Sequence, residues 1–350
     1  LCYKKLSMSK KNSNVQPLKK FLLKDKLVLN IYSDFKSFLN KTVKKKSFIV
    51  AVSGGPDSLA LVALSEIYRY ENRNKIYFVL VDHGIRKNSK KEAILVKRLL
   101  KKQKIFLKIL KNNKKILKNV QSEARNIRYD LLVDYCKSKS VKFIFTGHHS
   151  DDQIETFLIR LSRGSGIQGL SSMRSITKIE HNIKLVRPLL KLKKKDLKYV
   201  AKKMFNKFLI DPSNYNIKYL RTKIRNLTNQ LEKSGISRDQ IIKSIDNLAV
   251  TRDTLNMYLK KIIKLSTFRK KNQILINLEI LSKETQEIKM KVISHVIQNF
   301  SKSYYPPRSK KVSNIVGSLK LRKFKLTLGK CILEKSGNSL IVQKEIRKNQ

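Results

Sequence analysis

The segment SGGPDS at residues 53–58 combines the residue types that bind phosphate. It follows the apolar run SFIVAV at 47–52 and precedes an amphipathic stretch, so it is predicted to join a buried strand to a helix. Two glycines permit a tight turn and a close approach to phosphate oxygens, while serine hydroxyls and the helix N-terminus supply donors. Since the segment lacks the Gly-Lys-Ser/Thr ending of a Walker A loop, a plain serine–glycine turn is the alternative. We predict a phosphate-binding loop formed by Ser53, Gly54, Gly55, Pro56, Asp57 and Ser58.

The elements around this loop alternate between short apolar runs and longer amphipathic ones. Predicted strands cover residues 47–52, 75–83, 104–110 and 141–147, and a predicted helix follows each of them. Such βα repeats predict an α/β fold with a doubly wound, mostly parallel sheet, in which ligands bind at the carboxyl ends of the strands.

The remainder of the chain predicts a different organisation. Helical periodicity continues to about residue 264, and the last part indicates helices and two antiparallel strands within 323–345. We therefore predict an N-terminal extension at 1–45, the α/β domain at 46–220, a helical region at 221–285 and a small α+β C-terminal domain at 286–350.

The charge balance indicates the class of partner. The 79 lysines and arginines exceed the 25 acidic residues by 54, and such a field favours polyanions, with nucleic acid as the leading partner. Three scattered cysteines without a C-x-x-C spacing exclude a disulfide framework or a zinc ribbon. No apolar run approaches the roughly 18 residues of a membrane span, and the basic N-terminal stretch has no apolar signal segment. We expect a cytoplasmic protein with no membrane partner.

An ordered set of motifs resembles one family. SGGPDS is followed by VDHGIR (81–86), EARNIRYD (123–130), TGHHSDDQIETFLIRLSRGSGIQGL (146–170), DPSN (211–214) and RTKIR (221–225). The set resembles the tRNA(Ile)-lysidine synthetases of the PP-loop, or N-type ATP pyrophosphatase, superfamily. The resemblance covers nearly everything after residue 45, with weaker matches at YPPR (305–308) and TLGKCIL (327–333).

The resemblance implies a ligase that modifies the wobble cytidine of the isoleucine tRNA with the anticodon CAU. ATP adenylates the C2 oxygen of the base and releases pyrophosphate, and the amine of free L-lysine then displaces AMP. The product, lysidine, changes codon reading from AUG to AUA. ATP and Mg²⁺ are the implied cofactors, because phosphoryl chemistry needs positive charge around the phosphates and carboxylate oxygens suit Mg²⁺.

Site roles follow from matching these motifs. We predict catalytic roles for Asp57, Asp151 and Asp152, and we assign Mg²⁺ to the last two, although both could merely cap the next helix. A third His or Cys is missing beside His148 and His149, so zinc is not expected. Further active-site candidates are Asp82, His83, Arg86, Arg125, Arg128, His149 and Glu155. Candidates for contacts with tRNA or phosphate are Arg163, Arg221 and Arg225.

Several of these assignments have ordinary structural alternatives. Asp82 and His83 could belong to a solvated turn, and the helical arginines could be surface residues. RGSGIQGL at 163–170 could be a mobile substrate loop or a connector. RTKIR departs from the family pattern R-N-R-I-R at Thr222 and Lys223, which puts a role of the asparagine amide in doubt.

Two other functions stay as alternatives. A thiolating PP-loop enzyme of tRNA would need clustered cysteines, and a non-catalytic RNA-binding protein would not need an intact SGGPDS loop. Whether the chain forms a homodimer is left open.

Overall fold

A computed structural model of the chain describes residues 25–85, 88–112, 120–209, 220–301 and 306–345. The chain divides into two compact units, Leu1–Asn247 and Leu248–Gln350. The predicted division into four segments stays a prediction.

A six-stranded sheet forms the centre of the first unit. Its strand order is β3-β2-β1-β4-β6-β5, and all neighbours pair in parallel except β5 with β6. The predicted α/β fold with a mostly parallel sheet is confirmed. The strands are β1 (Phe48–Val52), β2 (Ile76–Asp82), β3 (Leu107–Lys111), β4 (Phe143–Phe145), β5 (Ile176–Lys178) and β6 (Lys184–Val186).

Helices cover both faces of this sheet, because alternate strand residues point to opposite sides. Phe48 and Val50 of β1 join one apolar cluster, whereas Ile49 between them joins the other. The helices up to the loop after β4 are α1 (Lys26–Thr42), α2 (Pro56–Asn72), α3 (Ser89–Lys102), α4 (Val120–Ser138) and α5 (Ser150–Leu161). Those that follow in the first unit are α6 (Ile167–Leu170), α7 (Lys194–Phe205), α8 (Leu220–Lys233) and the beginning of α9 (Arg238–Ser266).

Helix α1 lies in the stretch that was predicted as a separate extension. Val28, Ile31, Phe35 and Leu39 recur at helical spacing and are buried in the larger apolar cluster of the first unit. Helix α1 is therefore part of the apolar core of the first unit.

The helices after the sheet pack against α5. Ile154 and Leu158 of α5 form an apolar cluster with Ile224 of α8 and with Ile241 and Ile245 of α9. This contact places the basic face of α8 beside the first turns of α5. The predicted motif DPSN at 211–214 lies outside the described residues.

The second unit is the predicted small α+β domain. Its helices pack on a five-stranded antiparallel sheet with the order β7-β8-β11-β10-β9. Three strands, rather than the predicted two, occupy 323–345, because the chain also reverses at Gly329 and Lys330, both with positive φ. The elements are β7 (Thr267–Lys270), β8 (Gln273–Asn277), α10 (Leu278–Ser282), α11 (Gln286–Phe300), α12 (Ser309–Ser318), β9 (Phe324–Leu328), β10 (Cys331–Ser336) and β11 (Ser339–Lys344). Within the described ranges, no helix has both the length and the apolar character needed to cross a membrane.

Candidate active site

The loop between β1 and α2 is organised around the buried hydroxyl of Ser58. Its Oγ accepts hydrogen bonds from the N–H groups of Ser53 and Gly54, both at 3.1 Å, and donates to the carbonyl oxygen of Gly55 at 2.9 Å. The Ser53 hydroxyl lies 3.1 Å from the same oxygen. Pro56 opens α2, where its missing N–H costs nothing. The side chain of Ser58 thus fixes the conformation of the turn that was predicted to bind phosphate.

Two glycines let other backbone segments approach this loop. Gly54 has φ +85°, and a Cβ there would lie 2.5 Å from Cγ2 of Val96. A Cβ on Gly147 would lie 3.0 Å from the carbonyl carbon and oxygen of Asp57. The segment after β4 therefore packs directly against the first turn of α2, which brings two strand ends into one site.

His149 joins these two strand ends. Its Nε2 lies 3.5 Å from Oδ2 of Asp57 and 3.6 Å from Oδ2 of Asp152. Its Nδ1 accepts the Asp151 N–H at 3.2 Å, and its own N–H donates to Oδ2 of Asp152 at 3.0 Å. His149 is therefore the N-cap of α5 and also a bridge between two of the predicted catalytic carboxylates.

The charges around the bridge shift the pKa of His149 and of Asp152. Burial would lower the pKa of His149, but its hydrogen bond with Asp57 and the nearby carboxylates raise it above the ordinary value. Burial would raise the pKa of Asp152, but the two imidazoles, the His149 N–H and the guanidinium of Arg221 hold it below its usual range. The pair favours an ionised Asp152 next to a readily protonated His149.

His148 has the opposite electrostatic environment. Its Nδ1 lies 2.8 Å from Oγ1 of Thr146. Burial lowers the pKa of His148 to about 4; Asp152 opposes this shift, and the guanidinium groups of Arg187, Arg125 and Arg221 add to it. His148 is therefore neutral near pH 7.

Glu155, one turn further along α5, faces the basic side of α8. The carboxylate is 4% exposed, and its Oε1 accepts from Nε of Arg225 at 2.5 Å. Burial alone would lower the pKa of Arg225, but the bond to Glu155 and the nearby Asp152 and Asp57 raise it. Arg225 thus binds Glu155 directly and is influenced by the charges of Asp152 and Asp57, while its predicted contact with tRNA or phosphate stays a prediction.

Asp151 points elsewhere. Its Oδ2 accepts from a terminal nitrogen of Arg238, the first residue of α9, at 3.2 Å. It lines a cleft of about 300 Å³ together with Lys193, with Glu232 of α8 and with residues of α7 and α9. Although Asp151 and Asp152 are adjacent in sequence, the structure places only Asp152 beside Asp57.

The candidates after β2 form a second, basic group. Both Nε and a terminal nitrogen of Arg128 lie within 3.2 Å of Nε2 of His83. Asp82 accepts the Gly84 N–H at 3.1 Å, as in a tight turn, and Arg125 stacks over the Tyr129 ring at 5.1 Å. Arg86 lies outside the described residues.

The glycine-rich segment after α5 is held in place by side chains. Arg160 donates to the carbonyl of Gly169 at 2.7 Å, and Gln153 bonds the backbone N–H and carbonyl of Met173 at 2.8 and 3.0 Å. A short helix, α6, lies between these anchors, while Arg163 is exposed. These contacts indicate an ordered connector beside the site.

Sequence reasoning missed several residues that shape the site. Arg187 follows β6 directly, is 6% exposed, and donates to the Arg174 carbonyl at 2.8 Å and to Oγ1 of Thr177 at 2.9 Å. Its position after an apolar strand was a usable signal, because ligands gather at strand ends. Arg238 lies 87 residues from Asp151, so no local pattern could pair them.

One carboxylate oxygen in the site is suited to bind a metal ion. Oδ1 of Asp57 is buried and has no hydrogen-bond partner among the described residues. A buried carboxylate oxygen without a donor is costly unless a cation or ligand completes it. Together with Asp152 it offers the hard oxygen donors that Mg²⁺ prefers. No cluster of three or more His, Cys, Asp or Glu ligands occurs in the described part of the chain, so phosphate and water oxygens would have to complete the coordination.

Comparison with known proteins agrees with this geometry. The profile of the PP-loop domain family matches residues 27–231, which begins within α1. The chain is 33% identical over 304 residues to the tRNA(Ile)-lysidine synthase of Wolbachia pipientis wMel, which covers 85% of this chain and 70% of that protein. It is 32% identical over 332 residues to the enzyme of the same name from Wolbachia sp. subsp. Brugia malayi, covering 93% and 75% respectively.

A solved structure shares the fold. The U34-tRNA thiolase NcsA from Methanococcus maripaludis, determined with its [4Fe-4S] cluster, superposes with a TM-score of 0.55 over 64% of this chain and 80% of that protein. The sequence identity is 21%, so the likeness concerns the fold alone.

Proposed function

The chain belongs to the tRNA(Ile)-lysidine synthase family, and on that premise we propose that it ligates free L-lysine to the wobble cytidine of the isoleucine tRNA with anticodon CAU, using ATP. The observation that carries the proposal is the junction of the phosphate-binding loop with the first turn of α5, where His149 lies 3.5 Å from Asp57 and 3.6 Å from Asp152.

The loop would hold the phosphates of ATP. The hydrogen bonds to Ser58 hold the turn in one conformation. The N-terminus of α2 would then direct the N–H groups of its first turn toward an anion at the end of β1. The C2 oxygen of the cytidine would attack the α-phosphate, and the bond to pyrophosphate would break. The amine of lysine would then attack C2 of the activated base, releasing AMP and losing a proton.

Asp57 and Asp152 would hold Mg²⁺. The ion would supply positive charge for the triphosphate and for the leaving pyrophosphate. Asp151 was also predicted as a ligand, but the proposal does not include it because its Oδ2 faces Arg238. His149 would keep the two remaining carboxylates at a fixed separation.

The acidic and basic sides of the site suit the two other substrates. Glu155 has a buried Oε2 without a hydrogen-bond partner among the described residues, so the acidic side can receive a cationic amine. Arg221 on α8 and Arg125 and Arg128 on α4 would provide cations for RNA phosphates. The site thus contains both carboxylates for the lysine amine and guanidinium groups for RNA phosphates, which supports free lysine and tRNA as its substrates.

A thiolase activity is disfavoured by the described cysteines. Cys136 and Cys331 are buried and belong to different units, and burial raises the pKa of the Cys136 thiol to about 12, whereas a nucleophile needs a low pKa. The intact Ser58 network disfavours a non-catalytic RNA-binding protein. A cytoplasmic location and a homodimer stay predictions.

The products of ATP test the proposal. The protein is incubated with radiolabelled ATP, Mg²⁺ and unmodified isoleucine tRNA, with or without lysine. We expect AMP and pyrophosphate as products. AMP should be released into solution only when lysine is present, because it stays bonded to the base until the lysine amine displaces it. ADP and phosphate, or AMP release that is independent of lysine, would contradict it.

A further inference from the structure

We propose that Arg238 is a positioning residue for the proposed ligation: it holds Asp151 away from the metal-binding carboxylates and fixes the first turn of α5 against α8 and α9. The inference rests on the proposed function for its activity readout only. The geometry on which it is based is independent of that function.

Arg238 connects three helices through three nitrogens. One terminal nitrogen donates to Oδ2 of Asp151 at 3.2 Å, the other donates to Oδ1 of Asn229 at 2.8 Å, and Nε donates to Oε2 of Glu232 at 3.0 Å. Asp151 is in the first turn of α5, Asn229 and Glu232 are in α8, and Arg238 opens α9. Only a planar guanidinium can reach three acceptors in this way.

The contact has a direct consequence for Asp151. Its carboxylate contacts Arg238 through Oδ2, and its Oδ1 accepts from the hydroxyl of Ser150 at 3.3 Å. Oδ1 also lies 4.0 Å from Nδ1 of His149, so only Oδ2 is held toward α9 by Arg238. The adjacent Asp152 approaches Nε2 of His149, the ring nitrogen that also faces Asp57, so the two neighbouring carboxylates contact different atoms.

The same contact sets the position of α8 relative to the site. Arg225, in the second turn of α8, binds Glu155, and Arg238 binds Asp151 one turn earlier on α5. Two cation–carboxylate contacts on α5 thus hold α8 in one register. Arg221 and Arg225, which face the carboxylates, depend on that register, and a displacement of about 1 Å in a catalytic constellation costs about 100-fold in rate.

The experiment compares Arg238→Met, Asp151→Asn and the double variant in the full chain. We expect each single variant to lower kcat/KM for tRNA about tenfold, with KM for ATP and the half-saturating Mg²⁺ concentration within twofold of wild type. The double variant should be no worse than the poorer single variant, because both changes cut the same contact. Amide hydrogen exchange in the first turn of α5 should become faster in all three.

Asp239→Asn is the matched control. Asp239 lines the same cleft and pairs with Lys193 at 3.0 Å, and it has no hydrogen bond or ion pair with α5 among the described residues. It should keep wild-type kinetics and wild-type exchange in α5. Asp151→Asn leaves Arg238 with two acceptors, so it also tests the proposal if Arg238→Met folds poorly.

Two results would overturn the proposal. One is a several-fold higher Mg²⁺ requirement in Asp151→Asn, which would make Asp151 a metal ligand. The other is an unchanged kcat/KM together with unchanged exchange in both single variants. If the wild type incorporates no lysine, the proposed function fails instead, and the exchange measurement still decides the role of Arg238.

Discussion

The three acidic side chains at the start of α5 have different surroundings. Asp151, Asp152 and Glu155 lie within five residues, yet their nearest basic partners differ: Arg238, His149 and Arg225, respectively. Oδ1 of Asp151 also lies 4.0 Å from Nδ1 of His149. A helix turns by about 100° per residue, so neighbouring side chains face different surroundings. Asp57 lies in the first turn of α2, after β1, and it is approached by His149 from the segment after β4.

Asp57→Asn tests the carboxylate that carries the unpartnered buried oxygen. The substitution keeps the shape but removes the charge that would attract Mg²⁺, so pyrophosphate release should fall by at least about 100-fold. Affinity for tRNA should stay within about twofold. Asp134→Asn, on the exposed surface of α4, is the matched control and should behave as wild type. Unchanged turnover in Asp57→Asn would remove Asp57 from the chemistry.

The stability of the first unit should depend on pH through His148. The folded protein keeps His148 neutral down to about pH 4, whereas the unfolded chain binds the proton near pH 6.5. Its contribution to stability is therefore present above pH 6.5 and is lost as the pH falls from 6.5 to about 4, by at most about 1.4 kcal/mol per pH unit. His149, whose pKa is raised, acts with the opposite sign: its contribution is present below pH 6.5 and is lost as the pH rises through its folded pKa.

Urea unfolding of wild type and His148→Gln at pH 7 and pH 4.5 measures this effect. The stability advantage of the wild type over the variant should shrink at the lower pH. An advantage that is independent of pH would mean that His148 titrates normally in the folded state.

The sequence predicted which residues belong to the site better than it predicted which side chains they contact. Ser53, Asp57, His149 and Asp152 were all proposed from motifs, and the structure brings them together. The direction of Asp151 could not be predicted, because it depends on Arg238 of a later helix, and electrostatic partners that are distant in sequence leave no local pattern.

Secondary-structure elements explain why the site forms where it does. The ends of β1 and β4 are adjacent in the sheet, and the glycine at position 147 lets the second strand end pack against α2. The βα repeats and the mostly parallel sheet were predicted from alternating apolar runs. β5 and β6 were missed because three residues each are too few to show a period.

Helix α1 was also missed, although its apolar residues recur at i, i+3 and i+7. Phe35 is 2% exposed in the core of the first unit, whereas Leu29 on the same helix is 43% exposed. Phe35→Ala should therefore lower the free energy of unfolding by about 3–5 kcal/mol, and Leu29→Ala by less than about 0.5 kcal/mol. Equal effects of the two substitutions in urea unfolding would show that α1 does not belong to this core.

The molecule as a whole carries a net charge of +54, far more than a single active site needs. Most of the positively charged side chains are lysines, which can contact phosphates without reading sequence. The family assignment and the positive electrostatic field of the protein therefore both indicate a nucleic-acid substrate. Selection of one tRNA must come from specific contacts, which the composition does not reveal.

Binding to tRNA should accordingly be strongly dependent on salt. If six or more phosphates are contacted, the affinity should fall by at least about 10³-fold between 50 and 200 mM salt. Filter binding over this range gives the slope of log affinity against log salt, and KM for ATP measured in parallel serves as the control. A flat slope would contradict the electrostatic contribution of the lysines.

The most direct test of the assigned reaction is the transfer of labelled lysine to tRNA. The protein is incubated with ATP, Mg²⁺, labelled L-lysine and either the isoleucine or the methionine tRNA with anticodon CAU, and the wobble nucleoside is then isolated. We predict ATP-dependent label at the wobble position of the isoleucine tRNA and none in the methionine tRNA or with Asp57→Asn. Cleavage of ATP by folded protein with no label in either tRNA would contradict the assignment to lysidine synthesis.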